Sequence, residues 1–183
     1  MSAPAKPPLV IGIAGWKKSG KTTLTERLVA ELTSRGLAVA TVKHAHHAFE
    51  IDDGATDSAR HRRAGAGQVV ISSRTRWAIV TELEGRSEPA LAELIARLAP
   101  CDLVIVEGYK SAAIPKIEVR RLAAPKQVPL ADTDPQVKAI AADHEVAGAR
   151  VPVFALDDVA RIADFLLMTA VPIAAAERPG TPA

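Results

Sequence analysis

Cysteine is almost absent from this chain. Cys101 stands alone among 183 residues, which excludes an internal disulfide framework and agrees with a reducing compartment. Placed just before an apolar run, it reads as a small core residue. Aromatic residues are scarce at 3%, so a core has to be built from Val, Leu, Ile and Ala. Neither sign of charge dominates. The 23 Lys and Arg against 21 Asp and Glu leave a formal +2, too little to argue for nucleic acid. No apolar run reaches the roughly 18 residues that a membrane-spanning helix needs. Met1 to Pro8 holds one lysine and three prolines, unlike a signal peptide. A cytoplasmic globular protein is expected, without nucleic-acid or membrane partners. The expected layout is a flexible N-terminus over 1–8, one domain over 9–170 and a disordered tail over 171–183.

What is present is a phosphate-binding pattern in the context it requires. The β-prone run Leu9–Ala14 feeds into Gly15-Trp16-Lys17-Lys18-Ser19-Gly20-Lys21-Thr22-Thr23, a G-x-x-x-x-G-K-T sequence that opens a helix. Backbone N–H groups of such a loop cradle a polyphosphate against the positive end of the helix. Gly15 and Gly20 allow close approach of the main chain. Lys21 supplies a point charge to the β- and γ-phosphates, and the Thr22 hydroxyl is suited to Mg²⁺. Residues 9–23 therefore predict a nucleoside triphosphate site in an α/β P-loop NTPase fold, with a mostly parallel central sheet flanked by helices.

The remaining elements fit that frame. Leu24, Leu28 and Leu32 mark the buried face of a helix over 21–35, stopped by Gly36. A second strand over 37–42 follows, expected to form a parallel pair with the first. Asp57 and Ser58 are candidate caps for a short basic helix reaching Ala64. Gln68–Ser72 and Trp77–Thr81 read as a β-hairpin insertion. Ser87 is the candidate cap of a helix carrying Leu91, Leu94, Ile95 and Leu98. Asp102–Gly108 is a buried strand whose terminal acid, Glu107, suits a Mg²⁺ or a nucleophile-polarising role. Residues 115–121 alternate as a half-exposed strand, 122–136 form a long loop, and 137–143 make a strand ending in Asp143. An edge strand spans 151–156, and Asp157 is the candidate cap of a last helix through Leu167.

One segment stands out by composition: Lys43-His44-Ala45-His46-His47, followed by Asp52, Asp53 and Asp57. Leaving the second strand at the same sheet edge as the phosphate loop, Lys43, His44, His46, His47 and Asp57 form a candidate sensing segment or partner surface. The three histidines also suit Zn, Ni or Cu, which keeps a metallochaperone reading open.

Together, Gly15–Thr23, the Lys43-His44-x-His46-His47 run, Ile51-Asp52, Ala64-Gly65-Ala66, Arg76-Trp77-Ala78, Glu107-Gly108-Tyr109-Lys110 and Ala139-x-Ala141-x-Asp143 closely resemble the MobB family of molybdopterin-guanine dinucleotide biosynthesis adaptors. The resemblance covers about Leu9 to Leu167. It implies a GTP-binding homodimer with weak GTPase activity. Such a protein assists the MobA-like guanylyltransferase that attaches GMP to molybdopterin, with molybdopterin itself a further candidate partner. It also implies Thr22, Asp52 and Glu107 around Mg²⁺, Lys21 and Glu107 in catalysis, and Asp143 at the guanine base. No N-K-x-D sequence is present, so the guanine preference comes from the resemblance. The competing functions are a GTP-dependent metallochaperone and a stand-alone small-molecule kinase or nucleotidyltransferase.

Overall fold

The structure is a computed structural model that describes residues 6–45, 51, 54, 56–125 and 128–173. In chain order the elements are β1 (Leu9–Ala14), α1 (Lys21–Ser34), β2 (Val39–Lys43), α2 (Asp57–Arg63), β3 (Gln68–Ser72) and β4 (Trp77–Thr81). They continue with α3 (Leu91–Ala96), β5 (Leu103–Glu107), β6 (Lys116–Arg120), β7 (Val137–Ala142), β8 (Val153–Ala155), α4 (Val159–Thr169) and β9 (Val171–Pro172). The chain divides into two compact units, residues 1–44 with 91–183 and residues 45–90.

The larger unit is built on a sheet in the order β2-β5-β1-β6-β7-β8. Those six strands run parallel. The expected direct pairing of β1 with β2 is not what forms. β5 lies between them, because its Leu103–Val106 run is apolar on both faces and takes a central position. Residues of β1 alternate between two cores. Ile11 and Ile13 join Leu24, Leu28 and Leu32 of α1 with Ile162 and Leu166 of α4. Val10 meets Val104, Val106 and Ile95 of α3 on the other side. Each fully buried Leu or Ile adds roughly 1.5–3 kcal/mol. This two-sided burial is what holds the phosphate loop's flanking strand in place.

Several expectations are corrected. β6 is buried along its length, with Lys116 and Glu118 only 2% and 1% exposed. Its charged and apolar residues alternate, and all but the half-buried Arg120 are inside. The charges are tolerated because they are paired. Lys116 Nζ donates to Ala112 O (2.6 Å) and to Asp134 Oδ2 (2.9 Å). Glu118 accepts from the amides of Leu130 (3.0 Å) and Ala131 (2.9 Å) and from Arg120 Nη2 (2.8 Å). Both clamp the 130–134 stretch to β6. Helix caps are displaced by one residue or more: Asp158, not Asp157, accepts from Arg161 N, and Asp157 instead binds Arg27 Nη1 at 2.7 Å. α3 begins at Leu91, well beyond Ser87. Val171–Pro172 of the expected tail pair antiparallel with Leu9–Val10, while Gly12–Ala14 pair with β6. Residues 174–183 lie outside the described residues.

The smaller unit holds α2 and the β3–β4 hairpin. Its helix is capped by Thr56, whose side chain accepts from Ala59 N, rather than by Asp57 or Ser58. The hairpin pairs Val70 with Ile79 and Ser72 with Trp77, over the bounds read from sequence. Ser73 Oγ accepts from Arg76 N at 3.2 Å and steadies the turn.

Removing the Glu118 carboxylate strands Arg120 and two loop amides. Glu118→Ala is expected to destabilise by about 3 kcal/mol in urea denaturation. Asp157→Ala, at an exposed ion pair, should cost under about 1 kcal/mol.

Candidate functional site

The loop after β1 is shaped by three residues with positive φ: Gly15 (148°), Lys18 (65°) and Gly20 (93°). Gly15 admits no side chain, since a Cβ there would meet Ser19 Oγ at 2.6 Å and Val119 O at 2.7 Å. Lys18 holds a conformation costing about 1–3 kcal/mol for a non-glycine residue. Gly20 is the N-cap of α1 and supplies no side-chain cap, so the first-turn amides of the helix are left for a ligand. The loop closes on itself through the Trp16 carbonyl, which accepts from Ser19 N (3.2 Å) and from Lys21 Nζ (2.8 Å).

Sheet register brings the other half of the site. Ile13 of β1 and Lys43 of β2 both stand level with Glu107 at the end of β5. Thr22 Oγ1 donates to Glu107 Oε1 at 2.9 Å, and Lys43 Nζ lies 3.6 Å from the same oxygen. Gly108 (φ 96°) lets the chain leave β5 directly under His44, whose carbonyl is 3.1 Å from where a Cβ would sit. Burial lowers the Lys21 pKa from its ordinary 10.5; Glu107 opposes that shift, while Lys110 and Lys43 add to it. Partial burial next to two further ammonium groups makes this a place that favours an added anion.

The indole of Trp16 is held on both sides. Its Nε1–H donates to Val128 O at 2.6 Å, and Lys110 Nζ stands 3.9 Å from the ring centroid. Beside it lies a cavity of about 220 Å³ whose lining includes Trp16, Ser19, Arg121, Val128 and His144.

The sequence pattern of the family described as "Molybdopterin guanine dinucleotide synthesis protein B" matches residues 10–143. The molybdopterin-guanine dinucleotide biosynthesis adapter protein of Haemophilus influenzae is 39% identical over 158 residues, 86% of either chain. That of Escherichia coli is 34% identical over 160 residues, 86% of this chain and 91% of its own. A crystal structure of molybdopterin-guanine biosynthesis protein B superposes with a TM-score of 0.68 at 32% identity, covering 87% of this chain and 99% of that one.

The chain belongs to the MobB family.

In this MobB-family chain the residues expected at the phosphates, Gly15 to Thr23, form one continuous loop and helix start. Lys17 and Lys18 are exposed, and Ser19 is 2% exposed. Of the residues expected around Mg²⁺, Thr22 and Glu107 are in contact, while Asp52 lies outside the described residues. A hydroxyl and a carboxylate are hard oxygen donors that fit Mg²⁺, which takes few protein ligands and completes its shell with phosphate and water. No cluster of three or more His, Cys, Asp or Glu able to hold a metal exists among the described residues. His46 and His47 lie outside the described residues. His44 packs its ring 5.1 Å from that of Tyr109 and donates its amide to Glu107 O. Asp57 opens α2 in the smaller unit and sits 3.4 Å from Arg60 Nη1.

Asp143 directly precedes the 144–147 segment that lines the cavity. Its Oδ1 accepts from Leu122 N (2.9 Å) and contacts His144 Nδ1 (2.8 Å). The His144 hydrogen bond first, and then the Leu122 amide, hold its carboxyl below the ordinary range. Sequence reasoning did not single out Arg121. The signal for it was its position just past a strand end at the ligand-binding edge of the sheet, concealed while β6 was read as half-exposed.

A bound anion favours the charged form of Lys21, so polyphosphate binding should take up protons as pH approaches the lowered Lys21 pKa. Affinity should fall as pH rises through the lowered Lys21 pKa. Calorimetry of inorganic triphosphate at a series of pH values up to the ordinary lysine pKa of 10.5, in buffers of different ionisation enthalpy, measures the uptake. Lys21→Arg, which stays charged, should abolish it; proton release by the parent protein would contradict the assignment.

Proposed function

We propose that this protein binds GTP with Mg²⁺ at residues 15–23 and works as a nucleotide-dependent adapter in attaching GMP to molybdopterin. The observation that carries the reading is the meeting of Lys21, Thr22 and Glu107 at an uncapped helix N-terminus. The names of the relatives from Haemophilus influenzae and Escherichia coli support the pathway. On triphosphate binding, Lys21 exchanges its bond with the Trp16 carbonyl for the phosphates, and the amides of α1's first turn hold their oxygens. When bound, Mg²⁺ would supply positive charge that offsets the phosphates' negative charge. Thr22 would be its direct protein ligand, with Glu107 behind Thr22, orienting it and holding a water proton. Asp143 serves the base side by fixing Leu122 and His144.

Hydrolysis is slow in this reading. The cations that act on Lys21 are lysines 43 and 110, which attract phosphate but lack the bidentate geometry of an arginine finger. GTP binding instead alters the Lys43–His44 exit from β2, which is tied to Glu107 by a salt bridge and a backbone bond. The protein partner is the guanylyltransferase, engaged by a homodimer of this chain.

Lys21→Ala should weaken GTP binding by about 10- to 150-fold, the worth of a charge-assisted contact of about 1.5–3 kcal/mol. Glu107→Gln should leave Mg²⁺-free binding within about twofold and abolish the gain in affinity and turnover that Mg²⁺ brings. Titrations of GTP, ATP and CTP with and without Mg²⁺ check both variants. Equal losses for Glu107→Gln in the two conditions would reject the division of roles.

A further inference from the structure

Two buried polar atoms near the phosphate loop have no hydrogen-bond partner among the described residues, and their side chains line one cavity: Ser19 Oγ and Arg121 Nε. Ser19 is 2% exposed, so its hydroxyl is a donor and acceptor withdrawn from bulk solvent. Arg121 leaves the end of β6 and reaches the amino end of α1, where its Nε lies 2.7 Å from where a Cβ on Gly20 would be. The cavity's 220 Å³ is many times the roughly 30 Å³ that a water occupies. Its walls are mixed. Trp16, Ala124, Val128 and Ala147 give it apolar surface beside the polar side chains of Ser19, Arg121 and His144, a mixture that suits a ring with polar edges.

The two sides of the loop therefore differ in chemistry. Lys21, under the influence of Glu107, Lys110 and Lys43, faces the β5 side, where Thr22 and Glu107 meet. Arg121 belongs to the β6 side, with a donor N–H, a buried hydroxyl and mixed polar and apolar walls. A triphosphate seated on the loop would have its terminal phosphate toward Glu107 and its nucleoside toward the cavity. We infer that Arg121 is a specificity-determining residue that holds the nucleoside end of the ligand, its Nε–H donating to a sugar or base acceptor. Ser19 Oγ hydrogen-bonds beside it. This rests on the phosphate-loop reading above, which it deepens. It also separates two cations that would otherwise be taken as one electrostatic site: Lys21 recognises phosphate, and Arg121 recognises what the phosphate is attached to.

The experiment compares GTP with inorganic tripolyphosphate, both with Mg²⁺, on the full chain and on Arg121→Gln, Arg121→Lys and Lys21→Ala. Arg121→Gln should lose about tenfold in GTP affinity and under about twofold for tripolyphosphate. Arg121→Lys keeps the charge but lacks the buried Nε–H, and should lose GTP affinity as Arg121→Gln does. Full GTP affinity in Arg121→Lys, or equal losses for both ligands in either variant, would overturn the inference. Thermal unfolding of each variant tests folding, and the lysine variant decides if the glutamine one does not fold. Lys21→Ala should lose both ligands. If it binds both as the parent does, the phosphate-loop reading itself fails, a result distinct from failure at Arg121.

Discussion

The hydrogen bond between Thr22 and Glu107 joins two elements that are 85 residues apart in the chain, and the site depends on it. It exists because β1 and β5 are parallel neighbours in a register that sets Ile13 level with Glu107. One strand then delivers the loop and helix start, and the other delivers a carboxylate to the first helical turn. Both strands are buried on two faces, so a slip of register would expose apolar residues as well as misplace the acid. The core that stabilises the sheet thus also sets the distance from hydroxyl to carboxylate.

A second constraint comes from β6. Lys116 and Glu118 place opposite charges inside the protein two residues apart, and each is used to grip the loop beyond the strand. That loop returns a carbonyl, Val128 O, to the indole of Trp16. The phosphate loop is consequently braced by a chain of contacts running from a buried ion pair through a strap to an aromatic side chain. Lys110 on the same ring links the brace to the turn after Glu107. Strain at Lys18 is held in place by this surrounding order.

Much of this was legible in the sequence for identifiable reasons. The strand–loop–helix unit over residues 9–34 announces itself because glycine positions, lysine and threonine are each required by phosphate chemistry at a set spacing. The β3–β4 hairpin was read with its bounds, since alternating strands around a short polar link carry a strong local signal. Misreadings fell where local and long-range forces disagree. Lys116 and Glu118 look like solvent-facing residues until the distant Asp134, Leu130 and Ala131 are seen to satisfy them. Caps shifted from Asp157 to Asp158 and from Asp57 to Thr56, because neighbouring polar residues compete for the same helix amides and packing selects one.

By itself, the sequence determined the chemical kind of the site: a glycine loop, an ammonium group and a hydroxyl at one helix start, and an acid at the end of an apolar strand. Those are local requirements of a few consecutive residues. Tertiary structure alone decided which strands are neighbours, that β5 separates β1 from β2, and that Arg121 and Ser19 line one cavity with Trp16. Such placements depend on sheet order and on the burial of charge against partners far along the chain, and no short window of residues encodes them.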